Sequence, residues 1–185
     1  REWLGIATPL ERGSKSGLFY EEVLPDVALA EIELPSRMKS DLLALTNKFK
    51  SEVATTEKAR LVLLFKGSPG TGKTTTAMAL ANEMGVKVIR VNCCDIDGVN
   101  TADLLRELSA KCRARKSVLL LDECENIFRE HLFSAKSPSW AREFLENIKG
   151  CVVLTTNTES LGESIERRCS FIARFPRPTV EFRRK

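Results

Sequence analysis

The chain has 185 residues, with 29 Lys and Arg against 25 Asp and Glu, one His, six Cys and 43% hydrophobic residues. That size suits one domain with a substantial core, the balance of apolar and charged residues excludes global disorder, and no apolar run approaches the ~20 residues of a spanning helix. The net charge of +4 is local: residues 165–185 hold seven basic residues against two acidic ones, which leaves the rest of the chain close to neutral.

Residues 1–35 read as an N-terminal extension. Arg1-Glu2-Trp3 lacks the charged-then-apolar pattern of a secretory leader, and the missing initial Met reads as a partial or processed chain. Gly13-Ser14-Lys15-Ser16-Gly17 is a loop. Pro35-Ser36 opens a helix whose Met38, Leu42, Leu45 and Phe49 recur at helical spacing. Leu61–Phe65 is a continuous apolar run, as a strand covered on both faces requires. A Gly-rich turn leads into a helix near 72–84, closed by Gly85. Val86–Val91 is the next strand, Thr101 caps a helix carrying Leu104, Leu105 and Leu108, and Ser117–Leu121 is a third strand. Ser137-Pro138 supplies a cap and first-turn proline for a helix with Trp140, Phe144, Leu145 and Ile148. Cys151–Leu154 and Phe171–Phe175 complete five strands. This alternation predicts an α/β domain with a mainly parallel five-stranded sheet.

The cysteines Cys93, Cys94, Cys112, Cys124, Cys151 and Cys169 contain no C-x-x-C pair, and His131 is the one histidine available to a mixed ligand set. They read as reduced thiols of an intracellular, cytoplasmic protein rather than zinc ligands or a disulfide framework. Lys111, Arg113, Arg115 and Lys116 cluster at a helix end, where cations relieve the helix dipole; a nucleic-acid stripe is the other reading. His131 reads as a surface residue.

Gly67-Ser68-Pro69-Gly70-Thr71-Gly72-Lys73-Thr74 fits G-x-x-x-x-G-K-[ST] between a strand and a helix. The glycines let backbone N–H groups close around phosphate oxygens without a Cβ in the way, and the helix N-terminus adds its dipole. Ser68 to Thr75 are thus the candidate nucleotide-binding residues: Lys73 reaches the β- and γ-phosphates, and the Thr74 hydroxyl ligates Mg²⁺. Asp122 and Glu123 end an apolar strand where open α/β sheets gather their ligands. Asp122 there holds Mg²⁺ through its water shell, and Glu123 polarises a water for attack on the γ-phosphate.

With Val153-Leu154-Thr155-Thr156-Asn157, these two motifs resemble the AAA+ ATPase superfamily. The resemblance covers about residues 19–178 and implies a three-layer α/β/α P-loop NTPase core over 36–178. In that family the motifs are Walker A, Walker B and the sensor 1 strand. Asn157 fits the water-positioning residue, with Thr156 as the weaker choice. Ile165 to Pro178 is similar to the segment that carries an arginine into the neighbouring subunit's nucleotide. Arg168 is the first choice, because Arg-Cys before an apolar strand looks like the clamp-loader form, and Arg167 the second. The resemblance also places Val23 and Leu24 near the adenine and assigns Asn92 to a residue coupling subunits to Glu123. Two departures stand out. Cys94–Asn100 lacks the aromatic pore loop of protein-threading members, and the chain stops at Lys185, where a helical lid would begin, so 179–185 read as a truncated lid or tail.

The expectation is therefore ATP binding and Mg²⁺-dependent hydrolysis that drives remodelling of a macromolecule by a homo-oligomer, a hexameric ring, with no membrane segment. The rivals are a DNA-linked ATPase of clamp-loader, helicase-loader or initiator type, a nucleotide-binding switch with little turnover, and a small-molecule kinase.

Overall fold

Apolar residues on both faces of the central strands dictate a sheet covered on both sides. The computed structural model describes residues 20–96, 101–128 and 139–177. Strands β1 (Glu21–Val23), β2 (Arg60–Lys66), β3 (Val88–Asn92), β4 (Val118–Asp122), β5 (Gly150–Thr156) and β6 (Phe171–Arg174) form one sheet in the order β1-β3-β4-β5-β2-β6. All neighbouring pairs are parallel except β1 with β3. The helices are α1 (Ser36–Thr55), α2 (Lys73–Met84), α3 (Thr101–Arg115), α4 (Glu125–Phe128), α5 (Ser139–Asn147) and α6 (Glu163–Glu166).

Side-chain alternation divides the core into two layers. Val62 and Leu64 of β2 pack with Leu105 and Leu108 of α3 and Phe144 and Leu145 of α5. Leu61, Leu63 and Phe65 face the other way, toward Leu42 and Phe49 of α1 and Ala77 and Leu80 of α2. Each large apolar side chain among these contributes roughly 1.5–3 kcal/mol when fully buried, and β2, β4 and β5 are buried along nearly their whole length.

The five expected strands lie within two residues of their predicted limits. The short antiparallel β1 adds a sixth. Its sequence, Glu-Glu-Val, has no apolar run; side chains fasten it instead. Glu21 pairs with Arg90 at 2.9 Å. Glu22 takes Lys111 at 3.3 Å and also Arg115, and the Lys111 ammonium lies 4.3 Å from the centroid of the Tyr20 ring. Part of the 1–35 extension is therefore built into the sheet. Two of the four cations in the Lys111–Lys116 cluster are already paired with Glu22.

Gly85 ends α2 at φ +70°, with its N–H on Asn82 O and that of Val86 on Ala81 O. Thr101 is the first residue of α3 rather than its cap. All six cysteines are free thiols; Cys93, Cys112, Cys124 and Cys151 are buried. Burial pushes the Cys112, Cys151 and Cys169 thiols up to about 12, which keeps them protonated and unreactive. The Gly13–Gly17 loop, the Ser137-Pro138 cap, His131 and residues 179–185 lie outside the described residues. Among the described residues, no helix is long and apolar enough to cross a membrane.

Candidate active site

The strand order sets β2 between β5 and β6, and β4 beside β5, so the ends of β2, β4 and β5 meet. The loop from Gly67 to Gly72 joins β2 to α2 at this point. Gly70 (φ +75°) and Gly72 (φ +89°) are left-handed, a backbone that other residues adopt only with strain. At Gly67 the limit is space: a Cβ would lie 2.7 Å from the Phe175 carbonyl oxygen. Loop and β6 end are thus in close contact, and Arg177 Nε donates to Ser68 Oγ at 3.1 Å.

Lys73 folds back over the loop. Its ammonium donates to Gly67 O (2.7 Å), Ser68 O (3.0 Å) and Asn157 Oδ1 (2.9 Å). Burial lowers its pKa from the ordinary lysine value, against the opposing pull of Glu125, Asp122 and Glu123. Asp122 ends β4 with Oδ1 accepting from Thr74 Oγ1 (2.8 Å) and Thr155 Oγ1 (2.6 Å). Its Oδ2 accepts from Arg90 Nε (3.1 Å) and Nη2 (2.8 Å).

Glu123 has φ +54°, a strained backbone for a non-glycine residue, held by its own N–H on Thr155 Oγ1 at 2.9 Å. Glu123 Oε1 accepts from Asn157 Nδ2 at 3.1 Å, and Oε2 from the Cys94 thiol at 3.4 Å. Asn157 also donates from Nδ2 to Glu125 Oε1 (3.2 Å) and from its backbone N–H to Glu125 Oε2 (3.4 Å). One amide thus bridges the loop lysine and two carboxylates, its carbonyl toward the cation and its NH₂ toward the anions.

A cavity of about 170 Å³ lies here, lined by Pro69, Gly70 and the Gly72–Thr75 turn on one side and by Asp122, Glu123, Thr155 and Asn157 on the other. A larger groove of about 300 Å³ runs between α3 and α5 past Arg106, Arg113, Phe144 and Lys149. The phosphate-loop residues line the smaller cavity. Nucleotide and metal suit this donor set. Residues of the Gly-rich loop and Lys73 line the cavity, and the Thr74 hydroxyl beside Asp122 offers the hard oxygen donors that Mg²⁺ takes.

The structure brings together Ser68, Pro69, Gly70, Thr71, Gly72, Lys73, Thr74, Thr75, Asp122, Glu123 and Asn157 at the joined strand ends. Thr156 turns away, its hydroxyl on Thr158 at 2.9 Å. Val23 is half-buried on β1 and Leu24 is exposed; neither lines the cavity. The Asn92 side chain accepts from Cys94 N (3.3 Å) and donates to Asp95 (2.9 Å), while the Cys94 thiol donates to Glu123 Oε2 (3.4 Å). Arg167 is exposed and paired with Glu163, and Arg168 is bound to Glu146 and to the Ser164 carbonyl. Neither arginine lines the cavity.

Sequence reasoning passed over Thr155, Glu125, Cys94 and Arg90. For Arg90 a signal existed: a charge inside the apolar run Val88–Val91 needs a partner. For Thr155 it was alternation, which sets Thr155 and Thr156 on opposite faces.

The sequence matches the family described as "ATPase family associated with various cellular activities (AAA)" over residues 63–177. It is 34% identical to the sliding-clamp-loader large subunit of Escherichia phage RB69 over 140 residues, 72% of this chain and 41% of that protein. To the replication factor C large subunit of Picrophilus torridus it is 28% identical over 109 residues, 55% of this chain and 26% of that protein. The chain thus spans less than half the length of these relatives. Among solved structures, the AAA domain of FIGL-1 in complex with ADP superposes with a TM-score of 0.65 at 19% identity, over 86% of this chain and 59% of that one. That likeness concerns the fold.

Proposed function

The chain belongs to the AAA family of ATPases, and from that premise we propose that it binds ATP at the Gly67–Thr74 loop and hydrolyses it. The observation that carries this reading is the chain of contacts Lys73–Asn157–Glu123 beside the Thr74–Asp122 pair. Lys73 exchanges its bonds to Gly67 and Ser68 for β- and γ-phosphate oxygens. Thr74 and Asp122 would hold Mg²⁺, which would supply positive charge to offset that of the phosphates. Asn157 fixes the Glu123 carboxylate and orients the attacking water. Glu123 takes that water's proton as its oxygen bonds to the γ-phosphorus and the bond to the ADP oxygen breaks. Arg168 of a neighbouring subunit in a ring, with Arg167 as the alternative, completes the site; such an arginine accelerates related reactions by about 10³–10⁵.

The Glu123→Gln variant tests this. It should retain ATP binding and lose turnover by about 10²-fold or more, read as nucleotide retained on a filter alongside phosphate release. Unchanged hydrolysis overturns the role of Glu123.

The work done by hydrolysis is remodelling of a macromolecule, and a specific observation favours a DNA-linked form of it: the relatives include clamp-loader and replication factor C large subunits. Primed DNA should then stimulate phosphate release at low salt, and the stimulation should fall as salt rises. Hydrolysis indifferent to DNA at low salt would favour a protein substrate instead.

A further inference from the structure

Asp122 is saturated by the protein's own donors. A carboxylate offers about four acceptor directions, and here Thr74 and Thr155 occupy Oδ1 while two arms of Arg90 occupy Oδ2. A hydrated cation at Thr74 needs one of those directions for a metal-bound water. The donors on Oδ1 are fixed by the fold. Thr155 is fully buried on β5 and also holds the Glu123 N–H. Thr74 stands in the first turn of α2, where its hydroxyl could go on donating to Asp122 while offering a lone pair to a metal. Arg90 is different. Its side chain is 36% exposed, and its third arm, Nη1, lies 2.9 Å from Glu21 on the edge strand β1. It therefore has a second carboxylate to keep when it releases the first.

We propose that Arg90 is a positioning residue that competes with the hydrated divalent cation for Oδ2 of Asp122, and that Glu21 draws the guanidinium aside when the cation enters. This rests on the ATP·Mg²⁺ reading of the site. The division of Arg90 between Asp122 and Glu21 then sets the metal affinity. With Asp122 already neutralised, the site holds a divalent cation weakly until a nucleotide adds phosphate oxygens, so metal and nucleotide enter together. Arg90 acts through Asp122 and touches no reacting atom.

Mn²⁺ is the probe, its free concentration followed by electron paramagnetic resonance with and without ADP. Arg90→Met removes a competing cation and should tighten Mn²⁺ binding without nucleotide by about tenfold. Glu21→Gln leaves Arg90 wholly on Asp122 and should weaken binding a few-fold. Arg90→Lys keeps the charge without the fork and should fall between wild type and Arg90→Met. The opposite signs are diagnostic, because both substitutions break the same Arg90–Glu21 pair and a merely structural role would move them together. Thermal melts establish folding; if Arg90→Met does not fold, the Glu21→Gln and Arg90→Lys pair carries the same contrast. Unchanged Mn²⁺ affinity in the Arg90 variants, or shifts of the same sign in the Arg90 and Glu21 variants, overturns the proposal. Wild-type chain that binds no Mn²⁺ even with ADP would overturn the reading of the site itself, and this inference with it.

Discussion

Lys66, the residue before the phosphate loop, is only 5% exposed, and its ammonium rests on Glu166 Oε1 at 2.7 Å. The same oxygen accepts from Ser160 Oγ (2.7 Å) and Leu161 N (3.2 Å). Burial would raise the Glu166 pKa, but Lys66 and these donors outweigh it and hold the carboxyl below its ordinary value. A carboxylate with a depressed folded pKa contributes stability above its unfolded value, near 4.5, and loses it as pH falls through the lower folded value. Glu166→Gln should therefore cost about 3 kcal/mol at pH 7, because it strands a buried ammonium. The difference from wild type should shrink below about pH 4.5, where protonation of Glu166 weakens the wild-type pair. Lys66→Met should cost less, since Glu166 keeps two neutral donors and is more exposed. Urea midpoints at pH 7 and pH 3.5 check the pair; a Glu166→Gln deficit that does not change with pH refutes the ion-pair account. Both residues are plain in the sequence, but 100 positions separate them, and nothing local announces their pairing.

At the scale of elements, α2 and α3 end alike on different residues. Gly85 closes α2 in the left-handed conformation, and Lys116 does so after α3 at φ +51°, with its N–H on Arg113 O at 3.2 Å and that of Ser117 on Cys112 O at 2.8 Å. A lysine pays steric strain there that glycine avoids. Lys116→Gly should stabilise the chain by about 0.5–1 kcal/mol, net of the glycine's greater unfolded-state entropy. The urea midpoint should rise with no change in slope; a fall would mean that Lys116 makes contacts worth more than the strain. Long elements such as α1 and β2 were legible because periodicity accumulates over many residues. The three-residue β1 was not, because its pairing depends on Arg90, Lys111 and Arg115 arriving from other elements.

For the whole molecule, the placement of Arg167 and Arg168 is decisive. Arg168 is tied to Glu146, and its carbonyl accepts from Arg60, whose Nε also donates to Leu145 O at 3.0 Å. The segment is thus anchored to β2 and α5, on a surface away from its own cavity. On the trans-arginine reading, phosphate release per subunit should rise with protein concentration through the assembly transition in the complete protein. Arg168→Ala should flatten that rise without weakening nucleotide binding, and Arg167→Ala should have the smaller effect. A rise that survives Arg168→Ala would transfer the role to Arg167 or remove it from this segment.

Asn157 stood out only through the family resemblance; the sequence by itself determined the parallel strands, the Gly67–Thr74 loop and the Asp122–Glu123 pair. Each is a local signal: an apolar period, glycines where the backbone must turn left-handed, and polar residues at the ends of apolar runs. Only the tertiary structure decided that Thr155 braces Asp122, that the Cys94 thiol reaches Glu123, and that Arg90 saturates the Asp122 carboxylate. Those contacts cross strands far apart in sequence and follow from the strand order β3-β4-β5-β2, which no local pattern encodes because the burial that fixes it is shared by the whole sheet.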